Sequence, residues 1–221
     1  MLFGDDHLFS LAKSAKLGQL VLPPMFEQLR EWIHAQYATH VIYIALDKIE
    51  IGPSQGRPRL RIILETDADY NFWKKDLCTI HPDIESRVLS HFKKLADSSI
   101  ESISTDNLFL VLDNFSGECL RRACSEFLKT EADQVVQEFA NVPLWKIDGH
   151  ARHLVAFFST HKEIELHQKS GICTAISNRC LQAVKKHDEF GYLSDATFRL
   201  TFDSKENLDK NYCGSLFYYW R

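Results

Sequence analysis

Between His40 and Thr66 the chain carries two runs rich in β-branched residues, HVIYIALDKIEI and RLRIILET, separated by GPSQGRP. Branched side chains suit a pleated surface, and the Gly/Pro/Ser segment supplies turn chemistry, so the spacing predicts an antiparallel hairpin. NLFLVLDN (107–114) is a continuous apolar run bounded by polar residues, which predicts a strand buried on both faces in mid-sheet. PLWKI and the run from His153 to Thr160 read as two further strands joined by a turn at Asp148 and Gly149. TFRLTFD (197–203) and the terminal SLFYYW complete the expected strands.

Helical periodicity fills the intervals. In PMFEQLREWIHAQYA the apolar positions Met25, Phe26, Leu29, Trp32, Ile33 and Tyr37 recur at three and four, with Pro24 suited to the first turn. HPDIESRVLSHFKKLAD repeats the pattern at Ile84, Val88, Phe92 and Leu95. A short helix from Leu8 to Leu17 is opened by Asp5 or Asp6, and a long one runs from a Ser116 cap to about Ala140. Ile172, Ile176, Cys180, Val184 and His187 trace another, and SKENLDK a short last one. The expected class is α+β: a mixed or largely antiparallel sheet packed with amphipathic helices, as a single compact unit over 1–221 or as two pseudo-equivalent halves.

The second option rests on an internal echo. ESRVLSHFKK (85–94) resembles SNRCLQAVKK (177–186), and each is followed by an apolar strand ending in Asp113-Asn114 or Asp203-Ser204. From the second Lys to that Asp the spacing is 19 residues in one case and 17 in the other. A weak duplication of 40–115 and 144–205 is the expectation drawn from it.

The 221 residues are 45% apolar, 25% charged and 12% aromatic, which is globular rather than disordered composition. A net charge of −4 leaves no basic footprint for duplex nucleic acid, so none is expected as a partner. GRPRLR (56–61) is the best local basic patch, although alternating Arg on a strand reads first as a solvated face. The start, MLFGDDHLF, has acids where a signal peptide needs basic residues, and the apolar runs are far shorter than the roughly 20 residues of a membrane helix. A cytoplasmic location and no membrane partner are expected. The six cysteines show no C-x-x-C pair and read as reduced, with Cys119 and Cys124 on one helix and Cys173 and Cys180 on another as apolar filler.

Candidate chemistry is sparse. GHARHLVAFFSTHKEIELHQ holds four of the ten histidines. Its alternation past Thr160 suggests an extended segment with His161, Glu163, Glu165 and His167 on one face, which places the outer two histidines about 20 Å apart. That leaves His150 and His153, astride a turn, as the weak metal candidates. Asp67, Asp69 and Asp113, at or beyond strand ends, are weak catalytic candidates, since converging carboxylates hold magnesium for phosphoryl transfer or hydrolysis. Turn and helix-cap roles suit them better, and DSKE (203–206) has the form of a capping box. Phosphate-loop, dinucleotide, hydrolase-elbow and zincin motifs are all missing. The run Phe217, Tyr218, Tyr219, Trp220 offers a candidate partner interface at Tyr218, Tyr219 and Trp220. No cofactor is expected, and the oligomeric state is open. The leading expectation is a non-catalytic intracellular binding or regulatory protein, a stoichiometric protein-partner binder of inhibitor or immunity type. Its rivals are a metal-dependent enzyme using strand-end carboxylates and a small-molecule sensor.

Overall fold

The computed structural model describes residues 5–50, 52–99 and 103–221. Packing divides the chain into two units, Met1–Glu118 and Cys119–Arg221. The architecture is α+β, and the described residues form ten helices and two three-stranded mixed sheets.

The N-terminal unit begins with α1 (Asp6–Lys16), whose first turn is capped by the Asp5 carboxylate accepting from Leu8 N–H at 3.0 Å. Next come α2 (Pro24–Tyr37), β1 (Val41–Lys48), β2 (Pro58–Leu64), α3 (Asp67–Trp73), α4 (Pro82–Asp97) and β3 (Phe109–Asn114). β1 pairs antiparallel with β2 as the hairpin signal requires, and β2 pairs parallel with β3. A parallel return needs a crossover, which α3 and α4 supply. Alternation along β2 sends Leu60, Ile62 and Leu64 to one face, where Ile44, Leu110 and Leu112 meet Leu29 and Ile33 of α2 and Val88 and Phe92 of α4. Trp73 is fully buried in that core, and its indole N–H donates to Thr39 Oγ1 at 2.9 Å. Burying an aromatic or large aliphatic side chain there contributes about 1.5–3 kcal/mol each.

α5 (Phe115–Thr130) carries the chain across the unit boundary, followed by α6 (Ala132–Glu138), β4 (Leu144–His150), β5 (His153–Phe158), α7 (His161–Lys169), α8 (Ile172–Lys185), β6 (Arg199–Ser204), α9 (Lys205–Tyr212) and α10 (Leu216–Tyr219). The C-terminal unit repeats the sheet plan: β4 antiparallel to β5, and β5 parallel to β6. Its core joins Leu154, Ala156 and Phe158 to Ile147, Phe127, Val135, Ile176 and Cys180. Gly149 is sterically required here, because a Cβ would stand 2.7 Å from Leu154 and 2.9 Å from the His153 carbonyl.

The correspondence between the two sheets extends to irregularities. Both hairpins have a register shift one step into the first strand, between Val41 and Tyr43 and between Leu144 and Lys146. The carbonyl after the middle strand accepts from the second residue of the helix that follows the parallel strand in each unit: Glu65 O from Ser116 N–H in α5, and Ser159 O from Glu206 N–H in α9. Threonine then caps the next helix both times, Thr66 on α3 and Thr160 on α7. The two echoing segments, 85–94 and 177–186, lie in α4 and in α8 with its C-terminal flank, each the last helix before the parallel strand.

Several sequence expectations are corrected. β3 is an edge strand, because β2 and not β3 occupies the middle of its sheet. The helix expected from Ser116 to Ala140 is two helices broken at Glu131, and Asn114 supplies its first-turn acceptor, taking Gly117 N–H at 3.0 Å. Residues 161–167 are helical, not extended: Thr160 and Glu163 form a reciprocal capping box, which outweighs the polar/apolar alternation. The DSKE box is replaced by a Ser204 cap accepting from Asn207 N–H at 3.0 Å. SLFYYW is not a strand; Cys213 and Gly214 take positive φ, α9 ends, and the chain turns into α10. The Arg alternation in β2 is no solvated face either, since Arg61 is only 6% exposed.

Candidate functional site

Each proposed carboxylate is engaged with its own fold. Asp67, in the first turn of α3, accepts from the Asn114 amide. Asp69 accepts from the Thr66 hydroxyl at 2.7 Å and from His40 N–H at 3.4 Å. Asp113 points from the other face of β3, since adjacent strand residues alternate. There its Oδ2 accepts from Arg61 Nε at 3.0 Å and Nη2 at 2.7 Å. The three therefore do not converge. Among the described residues no three His, Cys, Asp or Glu side chains form a group that could hold a metal ion.

Asp113 belongs to a charged layer on the face of the sheet turned away from the core. Arg59 forks onto Asp47 at 2.5 and 3.0 Å, and Arg61 also lies 3.6 Å from Asp5 and 3.8 Å from Asp47. Asp113 is 1% exposed, and burial pushes its carboxyl up despite the opposing pull of Arg61. α1 packs against β1, with Leu8 and Ala12 buried and Phe9 stacked on Phe115 at 5.6 Å.

The histidine pair has a different neighbour from a metal. His150 and His153 are register partners across the β4–β5 turn, where Ala151 takes φ 55°. Their rings sit 6.0 and 5.7 Å from the Trp220 indole, and His153 Nε2 lies 2.9 Å from Thr201 Oγ1. Of the other two, His161 and Glu165 are helical neighbours at 3.9 Å, and His167 stacks on Phe158.

Trp220 leads to a cluster of aromatic and acidic side chains. Its indole N–H donates to Asp148 at 3.1 Å, and the Tyr219 hydroxyl donates to Asp203 at 2.7 Å. Burial first, and then the Asp203 carboxylate, raise the Tyr219 phenol above its ordinary range. Ring contacts run from Trp145 to Phe157 at 6.0 Å, to Tyr219 at 5.2 Å, and on to Trp220 at 5.2 Å and Tyr212 at 5.0 Å. On this anchored layer Phe217 and Tyr218 face outward, 59% and 57% exposed, and Trp145 is 39% exposed. Cations lie over two of the rings: Arg221 over Phe217 at 3.8 Å and Lys205 over Trp145 at 5.5 Å. The sequence expectation named Tyr218, Tyr219 and Trp220 without dividing them. The helix divides them, with Tyr219 and Trp220 as anchors and Tyr218 displayed. Trp145 and Lys205 were missed because only the register of β4 and the start of α9 bring them together.

Each unit also carries a polar cleft. One of about 360 Å³ in the N-terminal unit is lined by Glu27, Arg30, Glu31, His34, His40 and Glu65. Its charges are largely paired, Arg30 with Glu27 and Glu65 with Lys16. Another of about 370 Å³ in the C-terminal unit is lined by His161, Asp203, Glu206, Asn207 and Lys210. There Asn207 donates to both Asp203 oxygens and Glu206 accepts from His161 N–H. Cys124 and Cys180 are buried thiols, pushed by burial up to about 11 and about 12, and so are protonated at neutral pH and poor nucleophiles. Cys119 and Cys173 are buried as well, so all four helical cysteines fill the core as expected, while Cys78 and Cys213 are exposed. No described helix is long and apolar enough to cross a membrane.

Comparison with protein-family models, with curated proteins and with solved structures gives no match.

Proposed function

We propose that this chain is a non-catalytic intracellular binding protein that engages a protein partner stoichiometrically, in the manner of an inhibitor, through the aromatic surface carried by α10. The observation that carries the reading is the contrast within four consecutive residues. Tyr219 and Trp220 are fixed by hydrogen bonds to Asp203 and Asp148, while Phe217 and Tyr218 stand more than half exposed beside them. Large rings displayed on a fixed support lose little conformational freedom on binding, and Tyr and Trp concentrate binding energy at interfaces. The strand-end carboxylates, by contrast, are occupied within the fold, Asp67 and Asp69 by hydrogen bonds from Asn114 and Thr66 and Asp113 by its ion pair with Arg61.

A photo-crosslinking side chain at position 218 tests this in native extract, with the product identified and its stoichiometry measured. One partner, captured in a one-to-one complex and lost from Phe217→Ala/Tyr218→Ala, is the expected result. Phe72, exposed in the other unit, gives the control: Phe72→Ala leaves capture unchanged. Capture that ignores the α10 substitutions, or turnover of a substrate by the purified chain, overturns the reading.

A further inference from the structure

The aromatic surface is unevenly charged. Two of its carboxylates are turned inward and used, Asp203 by Tyr219 and Asn207 and Asp148 by Trp220 and Lys146, and a third, Asp209, is exposed beside Lys205. Two cations are seated on its exposed rings, Arg221 on Phe217 and Lys205 on Trp145. Lys205 also reaches Asp209, but both side chains of that i,i+4 pair are about half exposed, so solvent screens their attraction. The residues of the C-terminal unit number 14 Lys and Arg against 13 Asp and Glu, whereas those of the N-terminal unit number 12 against 17. The surface therefore sits on the less acidic half of an acidic chain.

A cation held over a ring presents apolar area and positive charge at one place. A partner matching it must bring apolar side chains to the rings and carboxylates to the cations within the same few residues. We infer, resting on the partner-binding reading above, that the surface formed by Trp145, Lys205, Phe217, Tyr218 and Arg221 takes an acidic protein segment in which carboxylates alternate with aromatic or aliphatic side chains. Single-stranded nucleic acid would also stack on rings and pair with cations. The chain's net charge of −4 favours a short acidic segment over a polyanion, whose many phosphates need a broad basic surface.

The test uses the full chain and three defined probes: a short peptide alternating Glu with Leu and Phe, the same peptide with Lys for Glu, and oligothymidylate. Binding is followed by amide chemical shifts at low and physiological salt. The Glu peptide is expected to bind about tenfold tighter than the Lys peptide, to shift Trp145 and Tyr218, and to weaken as salt rises. Lys205→Glu/Arg221→Glu is expected to reverse the preference without changing the melting temperature by more than a few degrees. Equal affinity for the two peptides, no effect of charge reversal, or tighter binding of oligothymidylate overturns the inference. The two failures separate cleanly. If both peptides bind equally and both are lost from Phe217→Ala/Tyr218→Ala, the surface stands as a protein-binding site and its acidic preference falls. If no peptide binds and position 218 captures no partner, both readings fall.

Discussion

In the N-terminal unit the sheet face turned from the core carries Asp47, Arg59, Arg61 and Asp113, and Asp5 at the start of α1 reaches into it. At the matching register positions the C-terminal unit has His150, His153, Val155 and Asp203. One acid thus occupies the same place at the end of the parallel strand in both halves, but its counterpart differs. Where Arg61 supplies Asp113 from within the sheet, Val155 cannot serve Asp203, and the Tyr219 hydroxyl and Asn207 amide do so from α10 and α9. A buried carboxylate must find donors somewhere. In one half a cation inside the sheet fills that need, and in the other an aromatic segment does so and leaves two rings on display.

The strongest way to break this comparison is to remove the two acids in turn. Asp113→Ala leaves Arg61 buried without its main counter-charge and is expected to cost about 3–5 kcal/mol in urea unfolding. Asp203→Ala removes the acceptor of the Tyr219 hydroxyl, the Asn207 amide and the Ser204 N–H at a half-buried site and is expected to cost about 1–2 kcal/mol. Replacing Arg61 and Asp113 together by Leu should recover much of the first loss, since an apolar pair avoids the desolvation of both charges. Equal costs for the two single variants would show that the halves close this face in energetically similar ways.

Acidity sharpens the contrast because the two halves respond in opposite directions. Burial raises the Asp113 carboxyl above its unfolded value, so its contribution is fully present below the ordinary Asp range and is lost as pH rises through the raised value. Glu138 and Glu131 are lowered, first by hydrogen bonds from Arg179 and Lys186 respectively, with His187 also bonded to Glu131. Their contribution is present above the ordinary Glu range and is lost as pH falls through their lowered values. Hydrogen exchange from neutral to acid pH should therefore show α6 and α8 loosening while β3 does not. Asp113→Asn should flatten the response of β3 and leave that of α6 unchanged.

How much of this was legible in sequence follows from where each constraint acts. The hairpins, α2 and α4 were readable because their periodicity is local, and the echoing segments 85–94 and 177–186 fall on α4 and on α8 with its C-terminal flank. The strand assigned to 161–167 failed because alternation there competes with a Thr-x-x-Glu helix start, and the start prevailed. The terminal strand failed because its rings are held by Asp148 and Asp203, far away in sequence. The same non-locality hid the pairing of Arg61 with Asp113: alternation put Arg61 on the outer face but could not say that α1 would pack there.

A smaller test addresses α10 directly. Tyr219→Phe keeps the ring contacts with Phe157, Tyr212 and Trp220 but removes the hydroxyl from Asp203, and should cost about 1 kcal/mol. Tyr218→Phe, at an exposed ring, should fall within about 0.5 kcal/mol of the parent. Thermal unfolding of the two variants checks the division between anchor and display, and equal shifts would erase it.

The smallest effects lie at the matched caps. Thr66→Ala and Thr160→Ala each remove the acceptor for the first turn of a helix and are expected to cost about 1 kcal/mol. Their wiring nevertheless differs. Glu163 reaches back to accept Thr160 N–H at 2.7 Å, whereas Asp69 takes the Thr66 hydroxyl and the His40 N–H. A double-mutant cycle should therefore find the coupling of Thr160 to Glu163 confined to α7. In the other half, Asp69→Ala should also increase hydrogen exchange at His40, ahead of β1, because that carboxylate ties the helix start to the strand entrance. A cycle in which both pairs behave alike, with exchange at His40 unchanged, would make the two caps interchangeable.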